Sequence, residues 1–168
     1  MNRRWMAAVA VALALALGLA GFRLVRGVVA QDVTPAGAGS QSGKLDPGVK
    51  ILSVVERATT DTTVDLGEAG DSVGDTMARG NEVFDDADGT KIGDDQGVCT
   101  RIVPGKAWEC AWTLILPQGQ ITAQGPRYDG AGSVLAIVGG TGDYVGASGE
   151  MKLVALNETE YKLTYLLK

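Results

Sequence analysis

The feature that most constrains this fold is a regular series of short strand-like runs separated by turn residues. From Val49 onward, runs rich in β-branched and aromatic residues recur at about 8–12-residue spacing, which indicates an all-β sandwich or barrel. Only the N-terminal segment shows a helical period, and residues 58–75 predict a loop with a short strand. The runs are 49–57, 76–85, 90–103, 106–116, 120–129, 133–140, 149–156 and 160–168.

One run shows clearly which face is buried. In the run 106–116, large or apolar side chains alternate with a second set that includes Glu109 and Thr113. Because side chains at i and i+2 share a face of a strand, the first set predicts the inward face. A barrel of about eight strands has room for packed side chains or for one small ligand, and either suits two inward tryptophans. The inward set is Trp108, Cys110, Trp112, Leu114 and Leu116.

The first 30 residues predict export of the rest of the chain. Two arginines precede the apolar run 5–22, and the small residues 28–30 offer a cleavage site, which is the pattern of a signal peptide. The run is nearly long enough for a bilayer, which takes about 20 residues, so a hydrophobic helix that anchors the chain in a membrane is the alternative. Both interpretations place the protein in a secreted or extracytoplasmic compartment.

The remaining chain divides into a linker and a domain. Residues 31–48 are rich in Gly, Ser, Pro and Ala without periodicity, which predicts a flexible linker. Residues 49–168 then form the predicted β-barrel domain.

Charge and composition exclude several functions. Four of the 15 basic residues and none of the 20 acidic residues precede Gln31, so residues 31–168 carry a formal net charge of −9. Such a charge repels phosphate backbones and excludes nucleic acid as a partner. The chain has no histidine, which excludes Ser-His-Asp and Cys-His catalysis and His-ligated metal sites. Acid–base chemistry would therefore use carboxylates, Tyr, Lys or Cys.

Two segments have the composition, but not the spacing, of ligand-binding loops. The glycine-rich segment 139–149 lacks the Lys-Ser/Thr of a P-loop and the Gly-x-Gly-x-x-Gly spacing, so it predicts a structural bend. The acidic run 84–95 would place Phe84 at the first ligand position of a calcium loop, where it cannot bind. That run instead predicts a hairpin turn at 86–89. We expect no metal and no cofactor.

The two cysteines flank a turn at Pro104-Gly105. A two-residue loop there pairs Val103 with Lys106 and places Cys99 directly opposite Cys110 on the inner face. Export favours a disulfide. However, directly opposed Cβ atoms are about 4.5–5.5 Å apart, whereas a disulfide needs about 3.8 Å, so two small buried thiols are the alternative.

The same strand parity turns Arg101 toward the interior. A buried arginine needs a carboxylate partner or a ligand. The sequence alone leaves both open.

Several separated motifs resemble, in order and spacing, those of the allene oxide cyclases. They are "GDTMARGNEVFD", "KIGDDQGVCTRI", "WECAWTLILPQGQITAQGP", "LAIVGGTGDYVGASGEMKL" and "YKLTYLLK", and together they cover residues 73–168. The "GGTG" segment also resembles, more distantly, the plant dirigent proteins. The resemblance implies an eight-stranded antiparallel barrel around an apolar cavity and a homo-oligomer, specifically a trimer. It also implies that the glycine segment is a strand-turn-strand bend.

The resemblance also implies a chemistry and some of its residues. Allene oxide cyclases close an unstable fatty-acid epoxide into a cyclopentenone by positioning it and by placing polar groups, a glutamate and a bound water at the reacting oxygen. By resemblance, Asn81 takes the place of the family's active-site asparagine, Cys99 that of a cavity cysteine and Leu114 that of a cavity phenylalanine. Arg127 replaces the tyrosine that follows Gly-Pro in the plant enzymes, and Tyr128 comes next.

The first strand departs most from the family pattern. Glu56 is present, but the plant Glu-x-Asn and the following Ser-Pro are not. Strand parity leaves open whether Glu56 takes the place of the catalytic glutamate or points to solvent.

Three hypotheses for function follow. The first is a cyclase or isomerase that binds a flexible hydrophobic substrate, oxylipin-, polyene- or polyketide-like, and promotes intramolecular ring closure, with Asn81 and Glu56 polarising an oxygen. The second is a non-catalytic carrier of hydrophobic ligands or a dirigent-like stereochemical guide. The third is a structural surface protein. An open cavity with converging polar groups favours the first, an open cavity without them the second, and a filled interior the third. The expected lining residues are Cys99, Arg101, Trp108, Trp112, Leu114, Arg127 and Tyr128.

Overall fold

The computed structural model describes residues 48–86 and 89–168. The predicted signal or anchor helix, the linker up to Pro47 and the central pair of the predicted turn at 86–89 lie outside the described residues. None of the helical segments in the described part of the chain has the length and apolarity of a membrane-spanning helix.

The described chain consists almost entirely of β-strands. Both ends of each of the eight predicted runs lie within one residue of the ends of an observed strand, and the predicted short strand within 58–75 is present. One turn of 3-10 helix, Gly142–Tyr144, lies in the glycine-rich segment, which is therefore a bend between two strands. The strands are β1 (Lys50–Arg57), β2 (Thr62–Val64), β3 (Thr76–Asp85), β4 (Lys91–Val103), β5 (Ala107–Leu116), β6 (Gly119–Tyr128), β7 (Ser133–Gly140), β8 (Gly149–Ala155) and β9 (Glu160–Leu167).

Antiparallel pairing closes the strands into a barrel. The order is β1-β9-β8-β7-β6-β5-β4-β3-β2, and β1 also pairs with β3, from Val54 opposite Asp85 to Arg57 opposite Glu82. Strand β2 pairs with the other half of the same edge of β3. β1 and β2 thus act as one interrupted strand. The ring has eight strands, which confirms the predicted eight-stranded antiparallel barrel.

The two ends of the barrel differ in their connections. We call the end at which β1, β4, β6 and β8 finish the upper end, and the opposite end the lower end. Two connections at the upper end concern the site described below. We call residues 58–61, between β1 and β2, the strap, and residues 65–75, between β2 and β3, the upper loop.

Alternate residues of the strands fill the barrel. In β5 the buried face is the predicted one, with Trp108, Cys110, Trp112 and Leu114 inward and Leu116 packed against them. The central side chains have at most 1% of their surface accessible, which means that the middle of the barrel is filled. The buried apolar core comprises Val54, Val83, Cys99, Trp108, Cys110, Trp112, Leu114, Ile121, Ala123, Leu135, Ile137, Met151, Leu153, Leu163, Tyr165 and Leu167.

A disulfide links the two middle strands of this core. Cys99 and Cys110 lie directly opposite each other in β4 and β5, with their Cα atoms 4.0 Å apart, and their sulfur atoms are bonded. The predicted register of the two cysteines is therefore correct. The predicted pairing of Val103 with Lys106 at the turn is wrong, because a β-bulge after Arg101 makes Val103 pair with Ala107.

Removing the disulfide should lower the stability of the barrel. Replacing both cysteines (Cys99→Ala with Cys110→Ala) removes a cross-link between two positions that are 11 residues apart, so the unfolded chain gains conformational freedom. For a loop of this size the expected loss in the free energy of unfolding is about 3 kcal/mol. Urea unfolding of both proteins, with and without a reducing agent, measures the loss. Equal unfolding midpoints under oxidising conditions would contradict the disulfide.

Candidate functional site

A group of polar side chains lies inside the upper half of the barrel. Glu56 near the end of β1, Arg79 and Asn81 of β3 and Asp95 of β4 point inward, and each is at most 6% exposed. Asp61 reaches the same place from the strap, and 25% of its side chain is exposed. We call these five residues the polar cluster. Glu56 is thus buried, which answers the question of parity that the sequence left open.

Arg79 and Asn81 hold the acidic members of the polar cluster together. The Nη2 of Arg79 lies 3.1 Å from Glu56 Oε1 and 2.8 Å from Asp61 Oδ2. The Nδ2 of Asn81 donates to the same Glu56 oxygen at 2.6 Å and to Asp61 Oδ1 at 2.7 Å. Because β3 alternates, its residues 79 and 81 reach the same interior.

Asn81 also fastens the strap to the barrel. Its Oδ1 accepts hydrogen bonds from the backbone N–H of Thr59 at 3.2 Å and of Thr60 at 3.1 Å, and from the Thr60 hydroxyl at 2.9 Å. With both amide hydrogens also used, Asn81 has no hydrogen-bonding capacity left for a substrate in this arrangement. The residue predicted to polarise a substrate oxygen therefore positions Glu56 and the strap.

A glycine allows Arg79 to stack on Trp112. In register, Arg79 of β3 lies opposite Gly97 of β4, which lies opposite Trp112 of β5. The guanidinium carbon of Arg79 is 3.9 Å from the centre of the Trp112 ring. A Cβ on Gly97 would come within 2.5 Å of the Ala111 carbonyl oxygen. The missing side chain thus lets an arginine and a tryptophan from non-adjacent strands meet.

Asp95 is a member of the polar cluster that the sequence analysis missed. Asp95 lies in the run 90–103, which was predicted as a strand and is β4, but it was not named as a site residue. Trp112 Nε1 donates to Asp95 Oδ2 at 3.0 Å. Strand parity could have identified it, because Asp95 is four residues before the inward Cys99. The site residues predicted from the sequence therefore lacked one buried carboxyl.

Several buried polar atoms in this region have no hydrogen-bond partner among the described residues. They are Glu56 Oε2, Asp95 Oδ1, the Nε and Nη1 of Arg79, and the Tyr165 hydroxyl. Native proteins pair the great majority of buried polar atoms, because an unpaired one costs about 1–3 kcal/mol. These atoms are able to bind polar atoms of a ligand.

Burial also changes the protonation of these groups. Burial raises the pKa of Glu56, against the lowering effects of Arg79 and of the Asn81 hydrogen bond. Burial, and then the charge of Glu56, raise the pKa of Asp95 to about 8. Burial and the charges of Asp95 and Glu56 raise the pKa of Tyr165 well above its usual value. Burial therefore favours the neutral acid form of Asp95.

A second arginine–tryptophan stack closes the upper end. Arg101 lies 3.9 Å from the centre of the Trp108 ring, and its Nη1 is 2.6 Å from Asp129 Oδ2. Its Nε is 2.6 Å from Asp71 Oδ1, which ties the upper loop to the barrel. Trp108 Nε1 donates to Asp129 Oδ1 at 3.2 Å. Arg101 is thus inward as predicted, with carboxylate partners.

The other predicted lining residues have different positions. Arg127 is half-buried, with its Nη2 3.4 Å from the Tyr161 hydroxyl, and its charge lowers the pKa of Glu56 slightly. Tyr128, next to it in β6, lies on the opposite face of the strand and does not join the polar cluster. Cys99 and Leu114 are buried in the interior, but the disulfide leaves Cys99 without a thiol.

The apolar cavity expected from the resemblance is not seen. Trp112, Leu114 and Tyr165 fill the space in which it was expected. At the lower end, a surface depression of about 390 Å³ lies beside Tyr144, Leu167 and Lys168. Within residues 48–86 and 89–168, no group of three or more acidic or cysteine side chains is placed to hold a metal ion.

The barrel and the order of its motifs match one protein family. Residues 54–166 match the allene oxide cyclase barrel like domain. The chain belongs to this family. In this chain the matched region begins in the middle of β1 and ends at the last residues of β9.

Three solved structures share this allene oxide cyclase-like barrel. A pyocyanin demethylase is 26% identical over 71% of this chain and 98% of its own, with a TM-score of 0.62. AbnU, an exo-specific intermolecular Diels-Alderase, is 16% identical over 70% of this chain and 98% of its own, with a TM-score of 0.56. The pterocarpan synthase dirigent protein PsPTS1 is 16% identical over 74% of this chain and 96% of its own, with a TM-score of 0.55. No curated protein matches the sequence.

These similarities agree with the sequence analysis at the level of the fold. Enzymes that form rings and a dirigent protein are both built on this barrel. At 16% identity these two structures show a shared fold.

Replacing Asn81 should loosen the strap. Asn81→Ala removes five hydrogen bonds, one to Glu56 and four to the strap residues Thr59, Thr60 and Asp61. We expect a loss of about 1–3 kcal/mol in the free energy of unfolding, because buried oxygens lose their donors. Amide exchange at Thr59 and Thr60 should become faster while exchange in β5 is unchanged. Hydrogen-exchange mass spectrometry measures both.

Asn157→Ala is the matched control for that variant. Asn157 also accepts backbone hydrogen bonds at the upper end, from Thr159 and Glu160, but outside the polar cluster. Exchange at Thr59 and Thr60, whose N–H groups are bonded to Asn81, should be unchanged in this variant. Equal protection of Thr59 and Thr60 in wild type and Asn81→Ala would contradict the fastening role of Asn81.

Proposed function

We propose that this protein is a cyclase-type enzyme that binds a hydrophobic molecule through an oxygen atom in the upper half of the barrel. The reaction is a redox-neutral rearrangement, namely intramolecular ring closure. The observation that carries the proposal is the set of unpartnered polar atoms of Glu56, Arg79, Asp95 and Tyr165, buried in one region of the barrel. A bound oxygen function would supply the missing hydrogen bonds.

The same observation argues against a purely structural interior. A filled barrel, taken alone, favours a structural protein. However, replacing a buried ionic group by well-packed apolar side chains is often neutral or stabilising, so a structural core has no need for three carboxyls and an arginine. Buried polar atoms left without partners add a further cost. We infer that the polar cluster is retained for a ligand.

Entry of a ligand requires movement of the strap. Residues 59–61 are exposed, and their side chains contact the barrel through hydrogen bonds and ion pairs to Asn81 and Arg79. The Thr60 hydroxyl also donates to the Gly80 carbonyl and accepts from the Gly80 N–H. Displacing the strap opens a path to Arg79 and Glu56 without disturbing the disulfide. Trp112 and Leu114 then provide apolar contacts for the hydrocarbon part of the ligand.

Each residue of the site then has a separate task. Arg79 donates to the substrate oxygen through its unpartnered N–H groups, and the Glu56 carboxylate orients the Arg79 guanidinium through Oε1. Asn81 holds Glu56 in place. The walls of the barrel fold the substrate into the reactive conformer, so that positioning and preorganised charges lower the barrier.

A non-catalytic carrier or dirigent-like guide is the second candidate. The stacks of Arg79 on Trp112 and of Arg101 on Trp108 are consistent with it, because they show that arginine and aromatic side chains pair face to face inside this barrel. One structure with the same barrel, 26% identical to this chain, is by its name a demethylase of pyocyanin. Aromatic ligands therefore belong in any binding screen.

We also propose that the domain works outside the cytoplasm. Support comes from the signal-like N-terminus and from the disulfide, since such bonds persist in oxidising compartments. Assembly into a trimer is proposed from the family resemblance.

A ligand screen with product analysis tests the proposed function. Native mass spectrometry and tryptophan fluorescence would be used with oxylipins, polyenes, polyketides and planar aromatics, followed by chromatography of each bound compound. Glu56→Gln should lower turnover by on the order of 100-fold, as expected when one preorganised polar group is lost. Binding affinity should change much less.

Glu109→Gln is the matched control, because Glu109 is exposed on the outer face of β5. Its turnover should equal that of the wild type. Compounds that bind and return unchanged from the wild type would support the carrier. Failure of every class to bind would support the structural protein.

A further inference from the structure

We infer that Glu56 and Asp95 form a carboxyl pair that holds one proton at neutral pH, and that Asp95 delivers this proton to the substrate oxygen. This inference rests on the proposed function. It specifies the substrate class further: the reacting oxygen must be a proton acceptor, such as an epoxide or carbonyl oxygen.

The geometry places Asp95 beside the site of Glu56. Asp95 in β4 lies directly opposite Asn81 in β3, whose amide binds Glu56. Trp112 Nε1 donates to Asp95 Oδ2, and the backbone of Asn81 also hydrogen-bonds to the Asp95 carboxyl. Oδ1 has no side-chain partner and is the oxygen that we assign to the proton. Glu56 Oε2, Asp95 Oδ1 and the Tyr165 hydroxyl are all buried and without partners. The two carboxyls and the tyrosine interact electrostatically with one another.

The charge balance of the polar cluster requires a proton. Arg79 is in ion-pair contact with both Glu56 and Asp61, and it also acts on Asp95. Three ionised carboxyls around one guanidinium would leave an excess of buried negative charge. Like-charged carboxyls in one site retain a proton for this reason. Asp61 is partly in solvent, so the proton belongs to the pair of Glu56 and Asp95.

The remaining neighbours do not remove this excess. Arg127 of β6 lies near Glu56, but its effect on that residue is the smallest of those that act on it. Tyr165 of β9 is neutral, because its pKa is raised further. Asn81 and Trp112 contribute neutral donors. The coupled pair therefore titrates as a unit.

The proposed step is a balanced proton transfer. The O–H bond at Asp95 Oδ1 breaks, and an O–H bond forms on the substrate oxygen as its C–O bond opens or its π electrons shift. The carboxylate that remains is stabilised by the Trp112 N–H and by Arg79. When the carbonyl of the cyclised product forms, the proton returns to Asp95. No oxidant or reductant is consumed.

Carbon-13 NMR of carboxyl-labelled Asp and Glu side chains tests the pair in the full chain without substrate. One aspartate carboxyl should titrate with a midpoint of about 8. Asp95→Asn should abolish that titration, and Asp94→Asn should retain it. Asp94 is the matched control because its side chain is 55% exposed and paired with Lys91. The inference is overturned if no aspartate titrates near neutral pH, or if the signal survives in Asp95→Asn.

A second variant keeps the test decisive if Asp95→Asn does not fold. Glu56→Gln removes the neighbouring negative charge, so the midpoint of Asp95 should move to lower pH. An unchanged or higher midpoint would overturn the pairing. The stability of the wild type should also fall as the pH rises from 3.8 through about 8, because the folded chain keeps a proton that the unfolded chain releases. The urea midpoint of Asp95→Asn should not show the part of this decrease that Asp95 causes.

These outcomes separate the inference from the proposed function. A titration near pH 8 supports the carboxyl pair even if no compound in the screen is converted, which would count against the cyclase alone. If a substrate is found, Asp95→Asn should lower its turnover and remove the high-pH limb of the rate profile. Turnover with an unchanged pH profile in Asp95→Asn would overturn the delivery of the proton.

Discussion

The ion pairs of Arg79 determine the arrangement of the upper half of the barrel. One guanidinium contacts a carboxylate from β1 and another from the strap, and it stacks on a tryptophan of β5. These contacts connect the first strand, the connection that follows it and the opposite wall of the interior. Burying such a charge is costly unless it is paired. The pairing explains why Glu56 and Asp61 lie where they do and why the strap folds over the barrel end.

Much of the fold was predictable because it follows from local patterns. Alternation in β5 identified the buried face, and turn residues located the strand ends. The positions of Cys99 and Cys110 followed from counting back from Pro104-Gly105. Whether they form a bond did not, because average distances between strands do not describe one particular pair. The shift in register at Val103 also escaped prediction, since a bulge changes the pairing without changing the pattern of residue types.

The candidate site was less predictable, for a physical reason. Its members meet through register across several strands, which one sequence does not show. The stack of Arg79 on Trp112 depends on Gly97 lying between them. Asp95 lies in a run that was predicted as a strand, but its burial was not predicted, and its neighbour Asp94 is exposed. Asn81 was found only through the family resemblance, and the structure shows a fully bonded amide where the resemblance implied a group free to contact substrate. Because the barrel is shared by proteins with different activities, the site has to be argued from its own contacts.

The interruption between β1 and β2 gives the barrel a seam. Strand β1 alone completes the ring with β3 and β9, whereas β2 covers only three residues at the start of β3. Release of β2 and the residues before it from β3 would leave the hydrogen bonding of the eight-stranded ring intact, because β2 is not part of that ring. A closed ring normally resists opening because every strand has two partners. In this barrel β2 pairs with β3 alone, so its release would break few hydrogen bonds and would leave the eight-stranded ring closed.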